Sequence, residues 1–552
     1  MSVPDPDASD AELFASSAVR LFVERARAAS DRFELSAENR SAVVEICRRL
    51  DGIPLAIELA AARVRSMNPA LIEERLDERF RLLSSTRRSQ ERHRTLLATV
   101  SWSYDMLSMD EQSVFRRLAV FPSGFDIAAA EVVAAGDGGG YLLDDLSRLV
   151  DRSLVQHDPD TGRYRLLETL RQFGAERLAE LGDTEFTADR YLDLYRRLAA
   201  QIGLRYFDSG FAHAMTDFLT EYDNLRATAN SLRRLGRYDD LLGFCGALFG
   251  FLQQRAPAEA FEWIHAALAN GTPSEVDRIA AHGFLAHLCH SLNRLDEGLR
   301  HASDSLDAFA DTAQLDSATA LTGRIMILHR LGEFEEALAA ARRMVALGEQ
   351  SHHEFVRLQG RFYMVTVLAS MKRFGDAEEI LADTMPAARR LGNSAIESIG
   401  ALVSVGIALE TDDRAALLAI VQTVPAQTDD TAISNYLRAY RAYALLDTEP
   451  REALRLAIET VRRGDRTGNQ VVLSSAVAVT VIAAALCGHA NAAEQLYRHM
   501  TASPYWDHRN TWEITLFNGA TAAVPAEVRD TPPHALSRRE LLQLLSELAT
   551  LL

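Results

Sequence analysis

The chain has 552 residues, of which 48% are hydrophobic and 25% charged, and its formal net charge is −18. This balance is typical of globular proteins rather than disordered ones, and the length allows several domains or one long repeat array. The acidic charge argues against a general affinity for nucleic acid or anionic membranes, so any DNA contact would need a local basic patch.

The first 80 residues have apolar residues at helical spacing, which predicts four helices: residues 10–29, 36–50, 55–66 and a segment after Pro69. Asp10 and Ser36 are the expected N-caps of the first two. Gly52 would end the second helix and Pro54 would begin the third, since glycine follows helices and proline starts them. We interpret the arginine-rich stretch 79–94 as a solvated linker, with a contact to phosphate or to an acidic partner as the alternative.

Residues 95–180 combine helical patterns with one predicted β-hairpin. Four segments have helical patterns, and the glycine run 136–140 separates the last two: residues 95–107, 110–119, 126–135 and 141–152. The D-P-D-T-G turn at 158–162 lies between two short strand-like segments. A further helical pattern follows. Helices leading into a hairpin, with another helix behind it, predict a winged helix.

The predicted winged helix is acidic. Residues 110–180 hold 13 Asp or Glu and 8 Arg, a net charge of −5. A domain that reads DNA normally presents a basic face. Direct DNA binding by this segment is therefore the rival interpretation rather than the preferred one.

Beyond about residue 190 all patterns are helical and an internal repeat is present. The segment L-G-E-F-E-E-A-L at 331–338 has counterparts at 371–378 and 487–494, and weaker copies begin at Leu235, Leu292 and Glu449. Successive small residues are separated by 39, 40, 76 and 40 positions: Gly298, Ala337, Ala377, Ala453 and Ala493. A period near 40, with two repeats in the longest gap, predicts stacked helical hairpins that approach closely at these small residues.

Four segments of the first 185 residues carry a family resemblance: 18–26 (AVRLFVERA), 47–60 (CRRLDGIPLAIELA), 101–104 (SWSY) and 164–173 (YRLLETLRQF). In this order they closely resemble the bacterial signal-transduction ATPases of the NB-ARC or STAND class, in the LuxR-type regulator group. The segment at 223–227 (DNLRA) is similar to the start of that family's C-terminal helical region. The repeats resemble tetratricopeptide repeats, although their period exceeds the usual 34 residues. The resemblance implies a winged helix that acts as an intramolecular lever and a superhelix that receives the inducer.

The sequence departs from the family at the nucleotide site. It contains no G-x-x-x-x-G-K-[ST] motif and no strand end resembling a Walker B, and Lys372, its only lysine, lies in a repeat. The family's G-x-P proline touches the nucleotide base and corresponds to Pro54, which could bind nucleotide only where a P-loop domain is supplied. Leu167 stands where related proteins place a nucleotide-sensing histidine. We therefore expect the sensor half of such a regulator, with no ATPase activity.

Other candidate sites have weaker patterns. Five residues are considered as metal ligands: His282, His287, Cys289, His290 and His301. Their spacing matches no metal motif, so we interpret them as scattered residues of the repeats. No G-x-S-x-G motif supports a hydrolase. The segment from Leu536, with a capping box at Ser537 and Glu540, resembles the start of a LuxR-type helix-turn-helix. We interpret it as a terminal capping helix, with a DNA-binding remnant as the alternative.

The chain offers little support for a secreted or membrane location. Four widely spaced cysteines read as buried thiols in a reducing cytoplasm: Cys47, Cys245, Cys289 and Cys487. The acidic start is not a secretory signal, and the most apolar stretch, 471–487, is short for a membrane span.

We therefore predict an all-α protein with a helical and winged-helix front end followed by a tetratricopeptide-like α-superhelix. The expected domains are a helical domain resembling the first ARC subdomain of NB-ARC proteins, a winged helix, linker helices with repeats, and capping helices: 1–92, 93–185, 186–505 and 506–552. We expect no cofactor and no metal. The expected partners are a protein or small-molecule inducer on the repeat surface within 236–505 and a separate or missing P-loop domain, with no membrane and no direct DNA contact.

Overall fold

The computed structural model describes residues 16–30, 32–36, 38–50, 52–80, 88–135, 142–308, 317–411, 413–423, 431–503 and 511–551. Within these ranges the chain is all-α apart from one two-stranded hairpin. A helical and winged-helix front end is followed by a superhelix of tetratricopeptide-like hairpins, as the sequence predicts. The chain forms two compact units, residues 1–197 and 198–552. The finer domain boundaries stay predictions.

The first unit begins with five described helices and a 3₁₀ turn at Ala62–Arg65: α1 (Ser17–Ala29), α2 (Arg40–Arg49), α3 (Pro54–Ala61), α4 (Pro69–Phe80) and α5 (Arg88–Asp105). Their apolar faces form one core that includes Phe22, Ile46, Ile57 and Trp102. Pro54 occupies the first turn of α3, as predicted. The stretch 79–94 was predicted to be a linker, but helices cover both of its ends. Helix α4 reaches Phe80, and α5 starts at Arg88.

Two predicted helix starts were wrong. The helix predicted over 10–29 begins at Ser17, because the side chain of Ser16 caps it by accepting the N–H of Val19. Asp10 lies outside the described residues. Ser36 does not cap the second helix, since its N–H is bound by the side chain of Asn39 in the turn that precedes α2.

The winged helix comprises four helices and the hairpin: α6 (Met109–Leu118), α7 (Ile127–Ala134), α8 (Leu142–Asp151), β1 (Gln156–Asp158), β2 (Arg163–Arg165) and α9 (Glu168–Glu180). The strands are antiparallel, with Gln156 opposite Arg165. Phe125 adds a bridge to Tyr164 and so extends the small sheet by one residue. The predicted hairpin and its D-P-D-T-G turn are confirmed, and the glycine run 136–140 lies outside the described residues.

The second unit continues as helices, the first of which starts before the boundary: α10 (Thr184–Leu204), α11 (Phe211–Thr220), α12 (Tyr222–Arg234), α13 (Tyr238–Arg255), α14 (Pro257–Asn270), α15 (Glu275–Ser291), α16 (Leu295–Ala308), α17 (Ser317–Leu331), α18 (Phe334–Gln350), α19 (Glu354–Ser370), α20 (Phe374–Leu391), α21 (Ser394–Glu410), α22 (Arg414–Thr423), α23 (Ala432–Ala444), α24 (Pro450–Thr467), α25 (Gln470–Leu486), α26 (Ala490–Thr501), α27 (Thr511–Ala523), α28 (Ala526–Arg529) and α29 (Arg538–Thr550). From α15 onward, the first helices of successive hairpins begin 37 to 42 residues apart, which confirms the predicted period near 40.

The repeats share a turn and a close helix approach. Four of the turns between paired helices contain a residue with positive φ: Asn293, Gly332, Lys372 and Gly488. The predicted small residues are all buried, near the start of each second helix. At Gly298 a side-chain carbon would overlap Ile327 and lie 2.8 Å from the Cβ of Cys289. The helices therefore approach too closely there for a larger residue.

The C-terminal helix α29 has the capping box predicted at Ser537 and Glu540. Its buried leucines pack in the core of the last repeats, and the guanidinium of Arg538 binds the carboxylate of Asp465 at 2.9 Å. These contacts agree with a terminal capping helix.

Two further predictions concern the cysteines and the apolar stretch. Cys47, Cys245 and Cys289 are buried thiols, but Cys487 is partly exposed, so its predicted burial was wrong. It directly follows α25 in a repeat turn, where solvent has access.

The apolar stretch 471–487 forms most of α25, whose side chains are largely buried among the repeats. Among the described residues, no helix combines the length and the apolarity needed to cross a membrane.

Candidate functional site

The second unit contains a cavity of about 170 Å³. It is lined by the first helices of successive hairpins, α13, α15, α17, α19, α21, α23 and α25, together with Tyr206. An apolar cavity of roughly 150 Å³ holds benzene, so this space can accept a small organic molecule. All its lining residues except Tyr206 fall within 236–505, the range in which the sequence predicts a binding surface.

Helical spacing explains why each first helix contributes several side chains to the wall. On α19, Gln359, Tyr363 and Thr366 are separated by four and three residues, so they share one face. Ile399, Leu402 and Val403 follow the same rule on α21. The lining therefore alternates apolar groups with hydrogen-bonding groups, which is the composition of small-molecule sites.

The segment between α10 and α11 contributes Tyr206 to the wall of the cavity. Its Tyr206 ring packs edge-on against Phe251 at 5.4 Å, and Phe207 packs edge-on against Phe355 at 5.3 Å. The side-chain amide of Asn393, which is fully buried, donates to the carbonyls of Tyr206 and Asp208 at 2.9 and 2.7 Å. This segment is thus fixed to a helix that lies more than 180 residues further along the chain.

Asn393 also starts the helix to which it belongs. Its Oδ1 accepts the N–H groups of Ala395 and Ile396 at 2.9 and 3.2 Å, which caps α21. Both ends of one side-chain amide are therefore used, and both in a site without solvent. Asn469 caps α25 in the same way, accepting from Val472 at 3.0 Å, and it also lines the cavity.

One wall of the cavity holds three buried histidines and an arginine. The guanidinium of Arg330, only 3% exposed, donates to the carbonyl of His290 at 3.3 Å and to Asn293 Oδ1 at 2.9 Å. Among the described residues that line the cavity, Arg330 is the one with a permanent charge. A buried guanidinium favours an anionic partner with planar acceptor geometry, such as a carboxylate.

The histidines are held neutral by their surroundings. Burial lowers the pKa of His287 to about 4, and burial together with nearby Arg330 lowers the pKa of His329 to about 4. Burial and the same arginine place the pKa of His290 well below its usual range. The Nδ1 atom of His290 is buried, and no described group hydrogen-bonds to it. Buried polar atoms are normally bonded, so this atom marks a position where a ligand or water would bind.

His329 and Ser370 form the one pair in this wall that could suggest hydrolysis. Nε2 and Oγ lie 2.8 Å apart. A general base works best with a pKa near the working pH, and a histidine with a pKa of about 4 is too weak a base at neutral pH. Ser370 also lies outside the set of residues that line the cavity. The pair is better explained as a hydrogen bond between neighbouring hairpins.

The five residues that the sequence analysis considered as metal ligands lie at different places in the structure. His287 and His290 line the cavity, and Cys289 is buried. His282 and His301 lie together on the other side of α15, with Asp304 beside them. Sequence analysis did not name Asp304, and only the i, i+3 spacing of His301 and Asp304 on one helix could have indicated it. Pro54 is exposed at the start of α3, and its predicted role stays a prediction.

The winged helix presents an acidic α8. Its exposed or partly exposed acidic residues include Asp144 and Asp151, and the latter pairs with Arg65. Glu111, 3% exposed, binds Arg148 at 3.0 Å and Arg152 at 3.2 Å. Both arginines are therefore engaged within the first unit.

Comparisons with known proteins agree with part of this description. Residues 107–179 match the winged helix-turn-helix domain family. A Mycobacterium tuberculosis protein whose name assigns it to the HTH-type transcriptional regulators is 43% identical over 260 residues, as is a Mycobacterium bovis counterpart. The alignment covers 46% of this chain and 29% of that regulator, so the chain spans less than a third of the relative's length. The chain thus contains a winged helix-turn-helix domain and is similar to HTH-type transcriptional regulators.

Two further matches complete the comparison. An uncharacterized protein of Mycobacterium tuberculosis is 43% identical over 180 residues, which is 32% of this chain and 46% of that protein. Among solved structures, a signal transduction ATPase with a tetratricopeptide repeat sensor from Pyrococcus horikoshii has 12% sequence identity and a TM-score of 0.41. That alignment covers 95% of this chain and 75% of the other. A TM-score at this level does not establish a common fold.

Replacing Asn393 by alanine should destabilise the second unit more than the same change at Asn469. Asn393→Ala removes a helix cap, which costs about 1 kcal/mol, and also removes two part-buried hydrogen bonds to the carbonyls of Tyr206 and Asp208, at about 0.5–1.5 kcal/mol each. Asn469→Ala removes a cap alone and should cost about 1 kcal/mol. Urea unfolding followed by circular dichroism measures the difference. Equal losses in the two variants would show that the bonds to Tyr206 and Asp208 contribute no stability.

Acidification should weaken the fold through the buried histidines. The folded-state pKa of His287 is about 4 against a usual 6.5, so the folded state binds fewer protons than the unfolded state between these values. Stability is therefore complete above about pH 6.5 and falls as the pH drops toward 4, by up to 1.36 kcal/mol per pH unit for each such group. His287→Gln should reduce this slope, whereas His213→Gln, at an exposed position, should not. An unchanged slope in His287→Gln would contradict the assignment.

Proposed function

We propose that the chain is a signal-sensing regulatory protein whose helical repeats bind a small organic acid and whose winged helix transmits the signal. The cavity with Arg330 in its wall carries the proposal. The similarity to HTH-type transcriptional regulators supports the regulatory part. The sequence resemblance supports a finer assignment to the STAND or NB-ARC signal-transduction class and its LuxR-type group.

The lining indicates the class of effector. Tyr363, Tyr436 and Tyr440 offer aromatic surface, and Ile399 and Leu402 offer aliphatic surface. Such walls favour a compact aromatic or branched aliphatic body. The guanidinium of Arg330 and the buried Nδ1 of His290 favour one acidic group on that body, because a carboxylic acid or its anion can satisfy both kinds of partner.

The winged helix serves better as a relay than as a DNA reader. In a helix-turn-helix, the helix that enters the major groove needs side chains that approach phosphates and base edges. The corresponding α8 is acidic, and its Arg148 is tied to Glu111 and Asp145. The link from Asp151 to Arg65 further occupies this helix with contacts inside the first unit. Each of these contacts supports an intramolecular role.

The proposal includes no nucleotide hydrolysis by residues 1–552. Phosphate binding by nucleotide-dependent regulators relies on the backbone amides and the lysine of a phosphate loop, and this sequence contains no such motif. Where a regulator of this class uses ATP, the phosphate site would have to come from another segment or another chain. Pro54 would then be the residue of this chain that touches the base.

Thermal denaturation with a matched pair of probes tests the effector class. Benzoate should raise the melting temperature of the full chain more than benzamide does, because only benzoate carries an anion for Arg330. At ten times its Kd, a ligand that binds the folded state alone adds about 1.4 kcal/mol of stability. Ile399→Trp, which fills the cavity, should abolish the benzoate shift. Glu379→Trp, on the exposed face of α20, should keep it.

Two results would contradict this proposal: equal shifts by benzoate and benzamide, or a benzoate shift that survives in Ile399→Trp. Circular dichroism of both tryptophan variants controls for misfolding. Because the two substitutions add the same side chain, a difference between them reports the cavity rather than the added tryptophan.

The second candidate is a DNA-binding regulator that acts through the winged helix. The name of the mycobacterial relatives and the winged helix-turn-helix match favour it. Fluorescence anisotropy with duplex DNA at about 150 mM salt separates the two proposals, since phosphate-driven binding is strongest at low salt and weakens steeply. Binding that persists at this salt and weakens in Arg165→Ala, in the wing, would favour DNA reading.

A further inference from the structure

His282 and His301 face each other across one repeat hairpin. His282 lies on α15 and His301 on α16, and their Nδ1 atoms are 2.9 Å apart. Asp304, one turn beyond His301, brings its Oδ2 within 3.5 Å of the Nδ1 of His282. The three ligand atoms lie within 4.8 Å of one another. Two ring nitrogens and a carboxylate oxygen therefore converge on one point at the hairpin surface.

A hydrogen bond alone explains this arrangement poorly. Of the two facing Nδ1 atoms one must donate and the other accept, which requires the Nδ1–H tautomer on one ring and the Nε2–H tautomer on the other, and this bond does not account for the Asp304 carboxylate beside it. Neutral imidazoles at neutral pH are the form that binds a metal ion.

We propose that His282, His301 and Asp304 form a binding site for a divalent transition-metal ion, for which Zn²⁺ is the best match. Two imidazole nitrogens with one carboxylate oxygen are the ligand set of many zinc sites with an open fourth position. Tetrahedral zinc with bonds of 2.0–2.1 Å places its ligand atoms about 3.3 Å apart. Two of the present separations, 2.9 and 3.5 Å, lie on either side of that value, and all three ligand atoms lie within 4.8 Å of one another, so side-chain rotations can bring them to it.

Further nitrogen and oxygen donors line the surface beside His301 and Asp304. His265 and Glu297 line the same surface pocket as His301 and Asp304. The side chain of Asp304 is 60% exposed, so an ion can enter from solvent and the carboxylate can turn toward it. The ligand set also excludes the hard cations Ca²⁺ and Mg²⁺, which prefer oxygen ligands only.

The ion would join the two helices of one hairpin. His282 is on the same helix as His287 and His290, which line the cavity, so bound metal would restrain one wall of that cavity from its outer side. The site rests on its own side chains and does not depend on the proposed effector, because none of its three ligands lines the cavity.

Titration of Zn²⁺ into the metal-free, tag-free full chain, followed by calorimetry, tests the site. We expect one equivalent to bind with micromolar or tighter affinity. The affinity should fall at least about tenfold in His282→Gln and in His301→Gln, since each removes one of three ligands. Asp304→Asn should weaken it less, because an amide oxygen can still bind. His213→Gln, at an exposed position on α11, should leave it unchanged.

Cobalt provides a readout that a loss of fold cannot imitate. Co²⁺ in the wild-type chain should give the visible d–d bands of a four-coordinate site, without the thiolate charge-transfer band that cysteine ligands produce. The bands should disappear in His301→Gln while its helical circular dichroism is kept. Failure to bind Zn²⁺, a wild-type affinity kept in either histidine variant, or a thiolate band would each overturn the proposal.

Discussion

The second unit depends on one buried side chain, Asn393. A superhelix of hairpins can extend indefinitely, because each hairpin contacts mainly its neighbours. Here the segment from Tyr206 to Asp208 lies against α21, and the Asn393 amide binds its two carbonyls while capping the helix. The segment is only partly buried, and Phe207 is 43% exposed, so the two bonds from Asn393 hold it against the helix rather than enclose it. The cavity is the space left between that segment and the inner helices.

The repeat architecture could be predicted from the sequence because its determinants are local. A turn residue that tolerates positive φ, such as Gly332 or Lys372, precedes a small residue such as Ala337 or Ala377, and both recur at a fixed interval. The hairpin of the winged helix was predictable for the same reason. The error at Ser36 and the later start of the first described helix, at Ser17, arose because several polar residues in each stretch could cap a helix, and side-chain geometry alone decides among them.

The candidate sites were mostly beyond sequence analysis. The bond from Asn393 to Tyr206 joins residues 187 positions apart, and no repeat signal marks it. In the sequence, four histidines form one scattered group whose spacing fits no metal motif: His282, His287, His290 and His301. The helix sends His287 and His290 inward and leaves His282 facing α16. A one-dimensional pattern cannot distinguish these directions unless the neighbouring helix is already known.

The two groups of histidines show how surroundings decide chemistry. His287, His290 and His329 are buried, and the Arg330 guanidinium adds to the effect of burial at His290 and His329, so their protonated forms are disfavoured and the groups act as neutral hydrogen-bonding partners. Burial lowers the pKa of His282 and His301 as well, but both rings are only half-buried and the adjacent Asp304 carboxylate opposes the shift. A cation beside the first group favours an anionic ligand, and an anion beside the second favours a cation. One repeat helix, α15, thus contributes to two sites of opposite electrostatic preference, one on each of its faces.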